Sequence, residues 1–413
     1  MRDKNKLLLI SIIAIAIVMY FVANFQRIAV PGAIFDLLEQ ELSVSAPFIT
    51  AFGAIYMYVY AICQLINGVL VDRYGGTRVM FMGAIVLSIG CILFPCSSSL
   101  LLMYIARGFI GFGASTFYLS LIKELKNLFS ERNYGIAISV MLFIGYTGAI
   151  AANAPFVAMM KYLSWRDILL GIACVVSVLT VLFALILPHS KLPKVNNHVK
   201  LRLLPFRLVL HKRHNRNLFS FACCNFGITY VIQTVIGKKF LEDFCTLSVS
   251  KAAMVLSTMA VVAAIFNIVN ASVCKLCHNK RVRFLNGASV ITFVCLLLIC
   301  TFIYLNIKSP ILMAVVFCIL AGNASLTSLL VPVLFLTNRK MISTTAVSIM
   351  NFCFFMMVGI LGTITGFLLN VFKPERINGV LVYGQHSYLL LFGTFLLLSM
   401  FEMYKAAKLS NKY

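Results

Sequence analysis

Acidic residues are the first shortage. Asp and Glu number 12 in 413 positions, against 35 Lys and Arg. All charged residues together make up 11% of the chain, where a water-soluble domain carries roughly 25%. That deficit excludes an ordinary soluble globular protein. No glycine-rich G-x-x-x-x-G-K-[ST] loop occurs, so the chain carries no nucleotide-hydrolysing motor of that type. Serine- and zinc-hydrolase motifs are missing too, which argues against an enzyme. The pattern of short alternating strands expected of a membrane β-barrel is also lacking. The 13 cysteines are scattered, mostly in apolar stretches where cysteine acts as a small hydrophobe. No disulfide framework is expected.

What is present is apolar length. Hydrophobic residues are 61% of the chain, and the mean hydropathy is +0.98. About 20 apolar residues cross a bilayer as a helix. Twelve such segments can be drawn, near 7–38, 47–70, 79–99, 101–123, 133–158, 167–188, 217–240, 250–273, 284–306, 309–337, 342–371 and 384–407. An all-α integral membrane protein follows, because a lipid-exposed backbone must satisfy its own hydrogen bonds. With the N-terminus inside, 25 Lys and Arg fall on the cytoplasmic side and eight on the outer side. This positive-inside bias places both termini in the cytoplasm. It also accounts for the net charge of +23 through topology and anionic headgroups, so no nucleic-acid partner is implied. The first apolar stretch is too long for a cleaved leader and lacks a small-x-small site.

The basic, proline-containing stretch 189–216 separates six spans from six spans. The expected domains are therefore 1–188, a cytoplasmic linker 189–216, and 217–413. The halves repeat weakly. Leu42-Ser43-Val44-Ser45 recurs as Leu247-Ser248-Val249-Ser250, and the same offset carries Gly32 onto Gly237.

Between the second and third spans, Gly68, Asp72, Arg73, Gly75 and Arg78 fit G-x-x-x-D-[RK]-x-G-x-[RK]-[RK], with Thr77 where a second base is usual. Arg107, Gly111 and Gly113 fit R-x-x-x-G-x-G; Gly145, Gly148 and Pro155, and then Trp165-Arg166, follow. Together these motifs resemble the major facilitator superfamily, specifically a prokaryotic branch similar to organic-anion carriers and lysosomal dipeptide uniporters. The resemblance implies two pseudo-symmetric six-helix bundles and solute transport by alternating access. It also implies that Asp72 meets the start of span eleven, near Ser343, in one state. Arg73, Arg78, Glu131 and Arg132 would exchange partners there, Gly68 would permit close helix approach, and Gly75 would permit the turn.

Arg27 is the leading substrate-binding candidate, with Gln26 beside it and Pro31 after it. An arginine deep in a span costs about 2.5–3.5 kcal/mol on insertion scales and so faces a cavity more often than lipid. Its fork of donors suits a carboxylate or phosphate. The competing reading is an arginine reaching outward to headgroups. Lys238, at the end of span seven, is a second candidate cation, although its offset beyond Arg27 favours a solvated vestibule for it and Lys239. Gln233 and Asn225 are candidate polar contacts or interhelical bonds. Arg107 either couples conformation to protonation or bonds backbone carbonyls. None of the twelve acids sits clearly mid-span, so uniport or exchange is as well supported as proton symport. Cys274-Lys275-Leu276-Cys277-His278 fits a haem-attachment pattern, but on the cytoplasmic side, and Asn270-Ala271-Ser272 fits a glycosylation sequon within a span. Neither is expected to function. The expected protein is thus a monomeric carrier in the cell membrane that moves a small organic solute, most simply an anion. It needs no cofactor or metal, with a proton as the candidate coupling ion. The rival functions are a dipeptide or amino-acid uniporter and a non-transporting sensor of the same fold.

Overall fold

The computed structural model describes residues 2–190, 204–276, 281–377 and 380–409. Within them, the side chains of residues 2–6, 131, 132, 135, 271, 274–276, 340, 341, 343 and 344 lie outside the description. The Arg132 and Ser343 side chains, most of the linker at 191–203, and the Cys274–His278 motif therefore fall outside it.

The helices run in chain order as α1 (Arg2–Ala29), α2 (Phe35–Leu42), α3 (Ala46–Tyr74), α4 (Gly76–Cys96), α5 (Leu100–Ser115), α6 (Phe117–Leu128), α7 (Glu131–Ala151), α8 (Ala154–Met159) and α9 (Trp165–Ile186). Then come α10 (Leu204–His211), α11 (Arg213–Val231), α12 (Gly237–Asp243), α13 (Val249–Leu276), α14 (Arg281–Tyr304), α15 (Pro310–Ala324), α16 (Thr327–Thr337), α17 (Lys340–Leu369) and α18 (Gln385–Ala407). A small antiparallel hairpin, β1 (Glu375–Ile377) with β2 (Val380–Val382), precedes α18, with Arg376 opposite Leu381. Among the described residues, 11 helical stretches are long and apolar enough to cross a membrane, and Ile136–Ala151 is a shorter apolar helix. The protein is an all-α, multi-pass membrane protein.

Contacts divide the chain into two units, Met1–Ala29 with Ile55–Leu201, and Val30–Ala54 with Arg202–Tyr413. The expected halves thus differ at residues 30–54, which cluster with the second unit. The first span also differs from expectation. It is helical only to Ala29, and a turn of 3-10 helix at Gly32–Ile34 leads into α2. Pro31 has no N–H to continue the helical ladder, so the chain changes course there.

In the first unit, α4 packs on α5 and α9, and α1 packs on α7. Glycines set the spacing. A Cβ on Gly113 would lie 2.6 Å from the Gly83 carbonyl oxygen, and one on Gly83 would strike the Thr116 side chain. A Cβ on Gly148 would strike the Phe21 carbonyl oxygen, so α7 rests directly on the α1 backbone. Gly68 differs from the sequence expectation, since among the described residues nothing lies within 4 Å of where its Cβ would be. The close approach in this loop falls at Gly76 instead, where a Cβ would be 2.8 Å from the Ser120 carbonyl oxygen.

Among the described residues, two of the broken spans are braced at the break in the same way. At the break between α5 and α6, Asn67 Nδ2 on α3 donates to the Ser115 carbonyl at 2.9 Å. Between α15 and α16, Asn270 Nδ2 on α13 donates to the Gly322 and Ser325 carbonyls, both at 3.0 Å. Carbonyls at a helix break away from water are satisfied by such a donor. The Asn270 sequon is therefore a buried structural amide.

Candidate functional site

The Arg27 side chain is buried in the first unit, 7% exposed. Its guanidinium carbon lies 4.5 Å from the Tyr60 ring centroid and 5.8 Å from that of Tyr56. An aromatic shelf of this kind contributes about 0.5–2 kcal/mol to holding a cation, so the arginine is positioned by α3 rather than extended toward headgroups. Gln26, its neighbour, turns to α4, where Nε2 lies 3.6 Å from Cys91 Sγ. The pair therefore does not share one direction.

Arg107 is fully buried on α5 and donates to the Gln26 backbone carbonyl at 3.0 Å. Its guanidinium lies 4.9 Å from the Tyr56 ring and 5.8 Å from Phe94. Tyr56 in turn donates to the Ala23 carbonyl at 3.1 Å. Gly111 lets α5 reach this layer, because a Cβ there would lie 2.6 Å from the Tyr56 carbonyl oxygen. The span-four motif thus builds a layer of two arginines around one tyrosine.

The charged turn is tied to the end of α6. Asp72 pairs with Lys123 at 2.8 Å. Glu124 Oε1 accepts the Thr77 backbone N–H at 2.9 Å, which places a buried carboxylate at the N-terminus of α4. Gly75 has φ 84°, the left-handed region that glycine tolerates. Arg78 donates to the Tyr74 carbonyl at 2.9 Å, and Arg73 stacks 5.2 Å from the Tyr74 ring. Lys123 and Glu124 were both missed by the sequence reading. Their adjacency was the available signal, one residue for each side of the turn. Glu124→Ala is expected to destabilise the fold by about 1–2 kcal/mol, as loss of an acceptor at a helix N-terminus does. Thermal melting of the purified protein measures this.

In the second unit, Lys238 and Lys239 differ sharply from the expected solvated vestibule. Both are buried, because each faces an acid one turn on along the same helix. Lys238 pairs with Glu242 at 3.0 Å. Lys239 pairs with Asp243 and with Asp36 of α2, both at 2.8 Å. Lys238 is therefore already neutralised as a candidate anion contact. Gln233 is buried in a π-helical segment, Ile232–Ile236, between α11 and α12. Such wide turns are frequent at functional sites. Gly32 rests on this segment, where its Cβ would be 2.5 Å from the Thr234 carbonyl oxygen.

Asn225 lies in the interior of the second unit and donates to Thr292 Oγ1 at 2.8 Å and to Glu402 Oε1 at 3.0 Å. Asn323 Nδ2 reaches the same Thr292 oxygen at 2.9 Å. Glu402 is fully buried within α18. The expectation was that no acid sits clearly mid-span; Glu402 lies toward the end of the last span, and it is buried there. The sequence signal was a lone glutamate five residues before the end of an apolar helix.

The profile of the Major Facilitator Superfamily matches residues 15–363. The chain belongs to that superfamily. This carrier is 28% identical over 138 residues to "Probable anion transporter 3, chloroplastic" of Arabidopsis thaliana. It is 18% identical over 179 residues to "Probable sulfoacetate transporter SauU" of Cupriavidus necator. The matches span 32% and 43% of the carrier but only 27% and 41% of those two relatives. Among solved structures, a bacterial homologue of the human lysosomal transporter Spinster, inward-facing and unoccupied, has a TM-score of 0.69 at 13% identity, covering 97% of this carrier and 95% of that chain. The nucleoside transporter NupG has a TM-score of 0.71 at 15% identity, covering 94% and 99%. These likenesses show the fold. The superfamily consists of transporters, and this carrier is a membrane transporter.

Proposed function

We propose that this carrier moves a small organic anion across the cell membrane by alternating access, with Arg27 holding the anion's carboxylate or sulfonate. The observation that supports this reading is the buried Arg27 guanidinium on its tyrosine shelf. A guanidinium held in place by aromatic faces keeps its donors directed and loses little freedom on binding a planar or tetrahedral oxyanion. Gln26 and Arg107 then act as positioning groups for it, and Gln233, in the other unit, is kept as a separate candidate polar contact. Asn225 and Lys238, already bonded to Glu402 and Glu242, stand further from this role. Two partial relatives, one named an anion transporter and one a sulfoacetate transporter, agree with an anionic solute.

The turn at Gly68–Arg78 serves as the conformational latch in this reading. Asp72, held by Lys123, exchanges partners together with Arg73, Arg78 and Arg132 as the halves rock. The excess of Lys and Arg on one side, 25 against eight, supports a cytoplasmic location for both termini and for this turn. Residues 1–188 and 217–413 act as the two rocking bundles, joined by 189–216.

Uptake into proteoliposomes tests the reading. Labelled carboxylates and sulfonates are expected to enter or exchange, with competition among them, while dipeptides and nucleosides do not compete. Flux of neutral solutes alone overturns the anion assignment, and binding without flux of any solute overturns the carrier role.

A further inference from the structure

The buried cluster at the end of the seventh span is out of charge balance. Among the described residues it holds four carboxyl groups, Asp36, Glu39, Glu242 and Asp243, and two ammonium groups, Lys238 and Lys239. The two lysines balance two of the acids. Glu39 is left with a hydroxyl in place of a cation. It is 2% exposed, Oε1 accepts the Tyr383 hydroxyl at 2.5 Å, and Oε2 has no hydrogen-bond partner among the described residues. Asp243 is better served: Oδ2 accepts the Tyr383 backbone N–H at 3.0 Å and the Tyr388 hydroxyl at 2.8 Å. An unbalanced buried carboxylate is expensive, and the usual remedy is a proton.

Glu39 also sits where movement matters. It lies on α2, beyond the first membrane helix, and α2 clusters with the second unit. Chain continuity joins α2 through Pro31 to Ala29 of the other unit. A rocking carrier must therefore move α2 either with its neighbours in sequence or with its neighbours in space. The contacts at stake are Asp36 to Lys239 and Glu39 to Tyr383.

We infer that Glu39 is a proton-binding site of the carrier, taking a proton as α2 docks against Lys239 and Tyr383 and giving it back when α2 leaves. The proton comes from bulk water and bonds at Oε2, while Oε1 keeps the Tyr383 hydroxyl. On departure the O–H bond breaks and the carboxylate is rehydrated. The transport cycle becomes proton-linked through this step whatever solute is carried.

The groups facing Glu39 set the direction. Burial is the largest influence and raises its carboxyl from 4.5 to about 7; the Tyr383 hydroxyl and then Lys239 oppose that, and Asp36 and Asp243 add to it. The docked state thus holds the proton more tightly than the undocked state. Docking is strongest below about pH 4.5, weakens as pH rises, and levels off above about 7. Between those limits the ratio of docked to undocked forms falls by at most about 300-fold, the antilogarithm of the pKa difference.

Thermal melting of the purified full-length protein across this range, beside Glu39→Gln, is the test. The neutral glutamine mimics the protonated acid and keeps an acceptor for Tyr383. Wild type and variant are expected to melt together at pH 4.5, with the variant melting higher at pH 8. Tyr383→Phe removes a donor to the ionised carboxylate, so its transition is expected at higher pH than in wild type. Parallel wild-type and Glu39→Gln profiles overturn the inference. Should Glu39→Gln not fold, infrared titration of wild type and Tyr383→Phe decides. A protonated-carboxyl band that fades near pH 7, and later in the phenylalanine variant, supports the site; no band titrating between pH 5 and 8 removes it. Neither measurement involves a solute, so failure here leaves the anion assignment standing, and failed anion uptake leaves Glu39 standing.

Discussion

Lys239→Met is expected to destabilise the carrier by about 3–5 kcal/mol, the usual result of removing one partner from a buried ion pair. Lys239 is 1% exposed and holds Asp36, Asp243 and the Leu381 carbonyl at once. Its loss leaves four carboxyl groups to share Lys238. The Leu381 contact matters separately, because it anchors the β1–β2 hairpin to α12. Methionine keeps the length and apolar stem of the side chain, so packing is nearly preserved and charge is what changes. Adding Asp243→Asn is expected to restore much of the loss, since it removes the more buried of the two carboxylates that Lys239 pairs with. The measurement is the fraction recovered as monodisperse protein, together with its melting temperature. A single mutant as stable as wild type, or a double mutant no better than the single, would show that the pairs contribute little.

Arg27→Ala is expected to weaken anion binding by about 2–4 kcal/mol, roughly 30- to 700-fold, as removal of a buried charged contact does. Arg27→Lys should recover only part of this. Lysine restores the charge but not the forked donors, and it stacks less well on Tyr56 and Tyr60. The loss should be selective, with the melting temperature of the unliganded protein changing far less than its stabilisation by anions. Titration of carboxylates and sulfonates against thermal stability separates the two effects. Undiminished anion affinity in the alanine variant would sink the assignment of Arg27.

The fold was legible because membrane insertion imposes one rule on every span, a long apolar run, and the runs stand out from basic loops. The breaks were less legible. Pro31 marks the end of α1 openly, yet the apolar residues on both sides of it make the first span read as continuous to residue 38. The breaks after Ser115 and at Ser325 carry no proline of their own, and the asparagines that repair them lie on other helices. The Arg27 shelf was legible in part. A lone arginine in a span must be satisfied somewhere, but which rings satisfy it depends on the turn of α3 that faces it. Lys238 and Lys239 show a signal present and misjudged. Their spacing to Glu242 and Asp243 is one helical turn, and that spacing by itself predicts pairing. Asp36 and Glu39 could not be placed that way, because their partners come from α12 and from the chain beyond β2.

The seam between α4 and α5 limits how this sequence can drift. Gly83, Gly113 and Thr116 face one another so closely that any side chain at 83 meets Thr116, and any at 113 meets the backbone at 83. A lineage cannot enlarge one of these positions alone. It would have to trim residue 116 first, and only then admit a methyl group at 83. The three positions behave as one inherited unit, exchanged together or kept together. A recombinant that joins α4 of one carrier to α5 of another would inherit a mismatch there, even if both parents fold.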